Sequence, residues 1–362
     1  MILNSSLKVV VGMSGGVDSS VAALLLTQAG YDVTGIMLRL WTEPGNEDRN
    51  SCCTPDSIAA ARKVAAIIGI PFYVVDVRDL FHREIVGYFI RGYELGETPN
   101  PCIRCNQVIR WGALLEEAEN IGADFLATGH YARLDENIDG SISLRKGQDQ
   151  GKDQSYVLSG VSQSKLRKTL LPIGNLLKSA VREIARSNNL PTAEKQDSQD
   201  LCFLAGEDYR EFLKRNAPEI LMPGPILNIQ GEIIGQHSGL PNYTIGQRKG
   251  LGAIQEPYYV LKKDTDTNSL WIGKNEEMGS DTCLVEEINW ITPPAKIFPQ
   301  KMDVKIRYKA PPVAAEISSG EKSALWVKFD KKLRDITPGQ QAAFYFEDLC
   351  LGGGKITRVT NE

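Results

Sequence analysis

Hydrophobic and polar residues follow two periodicities in alternation through the first half of the chain. Short apolar runs predict β-strands, whereas apolar residues spaced three or four positions apart predict α-helices. The predicted strands are 8–11, 31–41, 71–77 and 125–128, and the predicted helices are 21–29, 54–68, 79–95 and 107–121. This alternation is typical of an α/β fold with a doubly wound parallel sheet, which helices cover on both faces.

The ends of the predicted strands indicate where a ligand binds. In open parallel sheets, ligands bind beyond the carboxyl ends of the strands. The loops after Val11, Leu38 and Thr128 are therefore expected to line one crevice. Gly129 and His130 are then expected beside the glycine-rich turn that follows the first strand.

The second half of the chain has a different character. A hairpin is predicted at 131–145, and helices are predicted at 178–188 and 208–216. From Pro223 onward the sequence is rich in Gly, Pro and short apolar runs, which indicates a domain boundary. The runs between Cys283 and Thr360 predict an all-β terminal domain.

Composition places the chain among globular proteins of two or three domains. It has 362 residues, of which 42% are hydrophobic and 24% are charged. No apolar run approaches the roughly 18 residues of a membrane span, and the first residues lack the pattern of a secretory signal. A cytoplasmic location is therefore expected. In that reducing compartment the seven cysteines indicate thiol or metal chemistry rather than structural disulfides.

The net charge of −4 does not exclude a nucleic-acid partner. Basic residues cluster locally, as between Ser143 and Lys168, and a local basic patch binds phosphates even on an acidic protein. A solvated charged face explains such a cluster equally well.

The turn from Gly12 to Ser20 reads G-M-S-G-G-V-D-S-S and joins an apolar strand to an apolar helix. The N–H groups of such a turn and the helix dipole together bind anions. The turn lacks the Lys and Ser/Thr of a Walker loop and the glycine spacing of a dinucleotide fingerprint. It resembles the pyrophosphate loop of PP-loop ATP pyrophosphatases, in which Asp18 would help to hold Mg²⁺ on the phosphates.

Two further segments carry thiols. The segment 98–106 reads T-P-N-P-C-I-R-C-N and is expected to form a proline-fixed loop just before a helix, and the segment 197–203 carries Cys202. A thiolate near a helix N-terminus is stabilised by the dipole, which suits a sulfur nucleophile or a metal ligand. Each cysteine alone is equally consistent with a small buried hydrophobe. Four others are interpreted as structural: Cys52, Cys53, Cys283 and Cys350.

Taken together, these segments resemble the bacterial tRNA-specific 2-thiouridylases over nearly the whole chain. The resemblance also includes the motifs A-T-G-H-Y-A-R at 127–133, G-K-D-Q-S-Y at 151–156, Y-T-I-G-Q-R-K-G-L-G at 243–252, R-Y at 307–308 and T-P-G-Q at 337–340. It implies a Rossmann-like PP-loop catalytic domain at 1–207, a small central domain at 208–280 and a tRNA-contacting β-barrel at 281–362.

The resemblance implies roles for individual residues. ATP would be bound by Gly12, Met13, Ser14, Gly15, Gly16, Val17, Asp18, Ser19, Leu38 and Gly129. The target base would be met by Asn100, Pro101 and Cys102. The tRNA would be contacted by His130, Lys152, Asp153, Gln154, Arg307, Tyr308 and Gln340. Cys202 would carry an incoming persulfide, and Cys105 would be its catalytic partner.

The implied activity is ATP-dependent 2-thiolation of the wobble uridine in tRNAs for Lys, Glu and Gln. The C2 oxygen of uracil would attack the α-phosphate and release pyrophosphate, with Mg²⁺ offsetting the charge. Persulfide sulfur on Cys202 would then displace AMP, either directly or as hydrosulfide released when a Cys105–Cys202 disulfide forms. The implied partners are tRNA and a sulfur donor, such as a cysteine desulfurase or a relay carrier. No membrane partner is expected.

One position departs from the family pattern. Many members have Asp where this chain has Cys102, so an acid, base or oxygen-ligand role is in question there. The replacement makes Cys102, Cys105 and Cys202 candidate ligands of an iron–sulfur cluster with one open iron. Two alternative functions also stay open: a PP-loop ligase that activates a small carboxylate, and a nucleotide- or RNA-binding module without catalysis.

Overall fold

The computed structural model describes residues 7–45, 54–196, 201–251, 258–294 and 298–360. Within these ranges three sheets organise the chain: a five-stranded parallel sheet, a four-stranded mixed sheet and an eight-stranded antiparallel sheet. The following lie outside the described residues: Cys52, Cys53, Gly252 and residues 197–200 of the segment that carries Cys202.

The strands are β1 (Lys8–Gly12), β2 (Asp32–Arg39), β3 (Phe72–Asp76), β4 (Phe125–Ala127), β5 (Ala132–Glu136), β6 (Ile142–Lys146), β7 (Thr169–Leu170), β8 (Gly224–Leu227), β9 (Ile233–His237), β10 (Tyr259–Asp264), β11 (Ser269–Gly273), β12 (Ser280–Trp290), β13 (Gln300–Lys305), β14 (Val313–Ser319), β15 (Leu325–Leu333), β16 (Gln341–Phe346) and β17 (Leu349–Thr360). The helices are α1 (Val17–Gln28), α2 (Pro55–Ile68), α3 (78–94), α4 (101–120), α5 (Ser155–Leu158), α6 (Gln163–Leu166), α7 (Lys178–Ser187) and α8 (Tyr209–Asn216). Each of α3 and α4 contains a π-helical stretch, at His82–Val86 and Asn106–Leu114.

The five-stranded sheet has the order β3-β2-β1-β4-β7 with every pair parallel, so the predicted doubly wound fold is confirmed. Successive residues of a strand face opposite sides of a sheet. On β1, Val9 and Val11 accordingly pack into the core that includes α1, α2 and α7. Val10 packs into the opposite core, with Trp111 of α4 and Leu126 of β4. Both faces of the sheet are therefore covered by helices.

Local sequence signals set the bounds of α2. The Thr54 hydroxyl accepts a hydrogen bond from the Ser57 backbone N–H at 3.1 Å, and Pro55 occupies the first helical position. Gly69 ends the helix in the left-handed conformation, with φ of 75°. Each of these residues satisfies or avoids an unpaired backbone group at a helix end.

The C-terminal strands form a closed barrel, as the predicted all-β domain required. The order is β12-β15-β14-β13-β16-β17, and β12 pairs again with β17 to close the ring. The predicted hairpin forms as β5–β6 and attaches to the end of β17, where Cys350 pairs with Leu144. Tyr345 and Cys350 of the barrel are thereby buried in one core with Leu144 and Trp111.

The third sheet forms a smaller central domain between these two units. Its strand order is β10-β11-β8-β9, and its core contains Ile226, Val260, Leu270 and Ile272. No helix in the described ranges is long and apolar enough to cross a membrane.

One local expectation was wrong. Cys102 and Cys105 lie within the first turns of α4, not in a loop before it. The Asn100 side chain caps the helix by accepting a bond from the Ile103 N–H at 3.4 Å, and Pro101 occupies the first helical position. Together they start the helix at Pro101, six residues before the predicted onset at 107.

Candidate active site

The glycine-rich turn lies between β1 and α1, at the carboxyl edge of the parallel sheet. Gly16 is the N-terminal cap of α1 and Ser14 is exposed to solvent. The turn is braced from within, since the Ser14 N–H donates to the Ser19 hydroxyl at 3.1 Å and the Ser20 hydroxyl donates to the Gly16 carbonyl at 2.8 Å. The first N–H groups of α1 have no acceptor within the helix. The turn therefore has the geometry of an anion site.

Gly129 packs directly on this turn, as the strand pattern predicted. A Cβ atom at position 129 would lie 2.7 Å from the Ser19 backbone nitrogen and 2.7 Å from the Asp18 carbonyl carbon. Only glycine permits this approach. The loop after β4 and the glycine-rich turn thus form one crevice.

Asp18 is the electrostatic centre of the turn. Its carboxylate accepts bonds from the Lys178 ammonium at 2.7 and 2.8 Å and from the Tyr131 hydroxyl at 2.8 Å. The Lys178 side chain is only 11% exposed. A carboxylate has about four acceptor sites, and the described residues use three of them, which leaves one for a metal ion. The residues present fit a Mg²⁺-nucleotide.

Tyr131 links this turn to the segment 149–154. Its backbone N–H donates to the Gln154 side chain at 2.9 Å, and its carbonyl accepts from the Gln154 N–H at 2.8 Å. Asp149 accepts from the Lys178 N–H at 2.9 Å. The 149–154 segment, which carries three of the residues expected to contact tRNA, is therefore tied to the anion site at two points.

Cys105 and Cys202 lie in one cluster of aromatic residues. Both are partly exposed and pack against a core built from α3, α4, α8 and the turn after residue 201. That core is rich in phenylalanine: Phe81, Phe89, Phe203 and Phe212. Leu38 of β2 packs against the same cluster. Both expected catalytic cysteines and the residue expected to contact adenine therefore pack against the same cluster.

A cavity of about 500 Å³ opens against this cluster, since Phe89, Tyr93 and Leu204 belong to both. We call residues Thr98–Cys102 the TPNPC segment. Asn100 and Pro101 of this segment line one part of the cavity, and Leu201 and Leu204, which flank the Cys202 turn, line another. The cavity thus separates the segment expected to meet a target base from the turn that bears Cys202.

Cys102 has different surroundings from the other two thiols. It is exposed. Burial is the largest cause that raises the pKa of Tyr156, on α5, and of Tyr308, and an ionised Cys102 would add to both, which places this thiol near the two rings. The ammonium of Lys305 lies 5.8 and 5.6 Å from these two ring centres. Cys102 therefore belongs to an aromatic and basic surface shared with the barrel.

An iron–sulfur cluster held by Cys102, Cys105 and Cys202 was a further expectation for this site. Across the described ranges, no three His, Cys, Asp or Glu side chains come together as a metal-binding group. The structure therefore gives no support to an iron–sulfur cluster.

The residues expected to contact tRNA differ in exposure, and four of them are partly exposed: Lys152, Gln154, Arg307 and Gln340. Tyr308 is 40% exposed, whereas Asp153 and His130 are only 8% and 7% exposed. Asp153 braces its own loop, with bonds from the Gly147 and Ser155 N–H groups at 3.0 and 3.1 Å. Its side chain holds the 149–154 segment in shape.

His130 is also internal in this conformation. Its Nδ1 lies 2.8 Å from the Thr128 hydroxyl, and its Nε2 lies 3.4 Å from Arg110. Burial, and secondarily the charge of Arg110, holds its pKa well below the usual range. The ring is therefore neutral at physiological pH and supports Arg110 from within.

A second cavity, of about 640 Å³, lies between the central domain and the barrel. We call it the basic cleft. Four of its lining residues are cationic: Arg307, Lys331, Lys332 and Arg334. Among the described lining residues the one acidic side chain, Asp335, pairs with Arg307 at 3.2 Å. Arg307 also donates to Thr337 at 2.7 Å, the first residue of the T-P-G-Q motif, whose last residue, Gln340, lines the other cavity.

Sequence reasoning missed Lys178 as a site residue. A lysine at the first position of a helix opposes the helix dipole, and α7 begins with Lys178. The unfavourable position of Lys178 at the helix N-terminus was the signal in the sequence, because a cation at that position needs an anionic partner. The buried thiols, in contrast, were interpreted correctly: burial raises the pKa of Cys283 and of Cys350 to about 12, which keeps both protonated and inert.

Three family models match the chain. One described as tRNA methyl transferase HUP domain matches residues 7–206, one described as tRNA methyl transferase PRC-barrel domain matches 210–274, and one described as Aminomethyltransferase beta-barrel domain matches 280–356. Among solved structures, a 4-thiouridine synthetase–RNA complex with bound ATP aligns with a TM-score of 0.36 at 17% identity, over 59% of this chain and 51% of that chain. These values are too low to bear on function.

Curated relatives match over almost the full length. The chain is 45% identical to a tRNA-specific 2-thiouridylase MnmA of Symbiobacterium thermophilum, over 98% of this chain and 93% of the relative. It is 45% identical to the protein of the same name from Moorella thermoacetica, over 96% of this chain and 99% of the relative. A third, from Natranaerobius thermophilus, is 43% identical over 98% of each.

Proposed function

Because this chain belongs to the tRNA-specific 2-thiouridylase family, we propose that it catalyses ATP-dependent transfer of sulfur to C2 of the wobble uridine in tRNAs for Lys, Glu and Gln. One observation carries the proposal: Cys105, Cys202 and Leu38 pack on a single cluster beside a cavity that the TPNPC segment also lines. Nucleotide, base and sulfur would meet there.

Activation of the base is the first step. The C2 oxygen of uracil is a poor leaving group, so it attacks the α-phosphate of ATP and becomes an adenylate, while pyrophosphate leaves. The glycine-rich turn and the N-terminus of α1 hold the triphosphate, and Lys178 supplies the positive charge that the turn itself lacks. Mg²⁺ held by Asp18 would offset charge on the pyrophosphate.

Sulfur transfer is the second step. The terminal sulfur of a Cys202 persulfide attacks C2 and AMP leaves with the original C2 oxygen. If that sulfur forms the bond to C2 directly, the thiolate of Cys105 then breaks the remaining S–S bond by forming a Cys105–Cys202 disulfide. If Cys105 attacks first, hydrosulfide is released and becomes the nucleophile. In either order the disulfide must be reduced, and a persulfide donor must reload Cys202, before the next cycle.

Base access requires the target nucleotide to leave the anticodon stack. The cavity beside Asn100 and Pro101 would receive it, and Tyr308, Lys305 and the basic cleft would hold the flanking backbone. A cysteine desulfurase or a relay carrier would deliver sulfur to the partly exposed Cys202. Such a reaction belongs in the cytoplasm, with its tRNA substrate.

Two other activities are less well supported by these residues. The descriptions of two family models contain the words methyl transferase, but the curated relatives that match nearly the whole chain are named 2-thiouridylases. A ligase that activates a small carboxylate needs no thiols. Two partly exposed cysteines on one cluster therefore favour sulfur as the transferred atom.

The test is mass analysis of unmodified tRNA after incubation with ATP, Mg²⁺, a persulfide donor and the protein. We expect 2-thiouridine at the wobble position, and Cys202→Ser should abolish it while tRNA-dependent pyrophosphate release continues. Cys283→Ala, in the barrel core, is the matched control and should stay active. Full thiolation by Cys202→Ser would refute the sulfur-transfer role of this residue, and absence of thiolation by the wild type would refute the function.

A further inference from the structure

We infer that Glu97 is a positioning residue, through which the barrel fixes the TPNPC segment at the cavity. The expected effect on thiolation rests on the proposed function, whereas the fixing of the segment by Glu97 does not depend on it. Glu97 itself touches neither the cavity nor the thiols in the lining described above. Its effect would come through the residues that follow it.

Backbone contacts first attach the segment to the barrel. The Thr98 N–H donates to the Pro338 carbonyl at 2.8 Å. The Gln340 side-chain amide donates to the Thr98 carbonyl at 2.8 Å and lies 3.4 Å from that of Pro99. Both carbonyl and N–H of Thr98 are thus bonded to the barrel, more than 200 residues away along the chain.

An ion pair secures the same point. The Lys355 ammonium lies 2.9 Å from a Glu97 carboxylate oxygen, and the two side chains are only 22% and 16% exposed. Burial lowers the pKa of Lys355, but the hydrogen bond and charge of Glu97 outweigh burial and raise it. The pair is therefore poorly hydrated and held in one geometry, unlike the exposed ion pairs that contribute little.

The backbone of the barrel at Gly339 also lies in direct contact with the backbone at Glu97 and Thr98. A Cβ atom at Gly339 would lie 2.8 Å from the Glu97 Cβ and 2.9 Å from the Thr98 carbonyl oxygen. Gly339 has φ of 91°, a conformation that favours glycine. The segment therefore sits directly against the barrel backbone.

The central domain supports Glu97 from another side. The Lys263 ammonium donates to the Glu97 backbone carbonyl at 3.3 Å and lies 6.0 Å from the centre of the Tyr93 ring. Tyr93 lines the cavity. Glu97 is thus the point at which side chains from the barrel and the central domain reach the N-terminal domain.

Displacement at Glu97 would pass directly to the reacting groups. Only Thr98 and Pro99 separate it from Asn100, which caps α4 and lines the cavity. Cys105 lies one turn further along α4. A shift of about 1 Å in a positioning element costs up to about a hundredfold in rate, so a small change here would be measurable.

The experiment compares Glu97→Gln, Lys355→Met and the double variant with the wild type. Glu97→Gln keeps the shape of the side chain and removes its charge. In that variant Lys355 could still pair with Glu287, which lies near it, and Lys355→Met removes this alternative. Charge exchange between the two positions is unsuitable, because Lys263 and Glu287 would repel the exchanged groups. Glu194→Gln, which breaks an exposed 2.7 Å pair with Arg186 on the N-terminal domain, is the matched control.

Two readouts are needed. The first is amide hydrogen exchange in a peptide that spans residues 97–102, which requires no activity. The second is kcat and KM for tRNA thiolation, with KM for ATP measured in parallel. We expect faster exchange in both single variants, a fall of about tenfold in kcat or a matching rise in KM for tRNA, and an unchanged KM for ATP. The double variant should resemble either single one.

Wild-type exchange and kinetics in Glu97→Gln would overturn the inference, as would additive losses in the double variant. An equal rise in KM for ATP and in KM for tRNA would also overturn the inference, because it would indicate general destabilisation of the protein. If the wild type fails to thiolate tRNA, the proposed function fails. The exchange comparison would still decide whether Glu97 fixes the segment.

Discussion

The Lys178 ammonium lies 2.7 Å from one carboxylate oxygen of Asp18 and 2.8 Å from the other. Lys178 is the first residue of α7, where the helix dipole disfavours a cation. Asp18, in the first turn of α1, is placed where the dipole favours an anion. The pair therefore offsets the unfavourable position of the lysine, and it places an ammonium group beside the turn that would receive phosphates.

Replacing Lys178 by Gln is expected to impair activation of the base. The substitution removes the ammonium that would offset charge on the α- and β-phosphates, and loss of one such preorganised group costs about a hundredfold or more. Pyrophosphate release measured against ATP concentration should show this loss in kcat/KM for ATP. Affinity for tRNA, measured by filter binding, should not change.

Lys168→Gln provides the comparison for this variant. Lys168 forms an exposed 2.6 Å pair with Glu119 on the same domain, so its removal tests for a general effect of losing a lysine. Normal ATP kinetics in Lys178→Gln would contradict the phosphate-binding role.

Thiol reactivity should separate the described cysteines into two groups. Cys102 is exposed and Cys105 and Cys202 are partly exposed, so iodoacetamide should alkylate them in the native protein at pH 8. Cys283 and Cys350 are fully buried with pKa values of about 12, so they should react only after denaturation. Peptide mass mapping before and after unfolding makes the measurement. Alkylation of native Cys350 would show that the hairpin β5–β6 detaches from the barrel.

Lys263 should make stability depend on pH. Burial lowers its pKa to about 8, from an ordinary 10.5, against the opposing charge of Glu97. Between these values the unfolded chain binds more protons than the folded one, so this group makes the wild type more stable as pH rises. Lys263→Met removes the effect. The melting temperature of the variant relative to the wild type should therefore fall from pH 8 to pH 10.

The neighbouring Lys262 is the control for that experiment. It is 63% exposed and pairs with Asp264, so Lys262→Met should show no such trend. A constant difference between Lys263→Met and the wild type across this range would contradict a depressed pKa.

Features determined by neighbouring residues were predictable from the sequence. Thr54, Pro55 and Gly69 set the ends of α2 through local hydrogen bonds and backbone conformation. The glycine-rich turn was predictable because a strand, a turn and a helix follow one another directly. The proximity of Gly129 followed from the general rule for parallel sheets, since β4 pairs with β1.

Features determined by distant contacts were not predictable. Asp18 and Lys178 are 160 residues apart in sequence, and no local pattern joins them. The attachment of β6 to β17 depends on the barrel strand extending beyond the ring, which the hairpin sequence does not encode. The resemblance implied that His130 contacts tRNA, but no local pattern indicated that its side chain is 7% exposed and lies 5.5 Å from the Trp111 ring.

The basic cleft leads to the last prediction. Lys331 and Lys332 line it and are exposed to solvent, and Arg307 joins it to the T-P-G-Q motif that holds the TPNPC segment. RNA that presents a base to the thiol cavity would therefore continue along the cleft. We expect the double variant Lys331→Gln/Lys332→Gln to weaken tRNA binding without changing kcat at saturating tRNA.

Salt dependence distinguishes a phosphate contact from a folding defect. Each lost phosphate contact reduces the slope of log K against log salt by roughly 0.7 to 0.9, so the double variant should lose between one and two units. Lys301→Gln, an exposed barrel lysine paired with Asp330 at 3.8 Å, should keep the wild-type slope. An unchanged slope in the double variant would exclude the cleft as a path for RNA. A lower kcat with a normal slope would instead mean that the substitutions disturb the barrel, because lysines that only attract the backbone have no part in the chemical step.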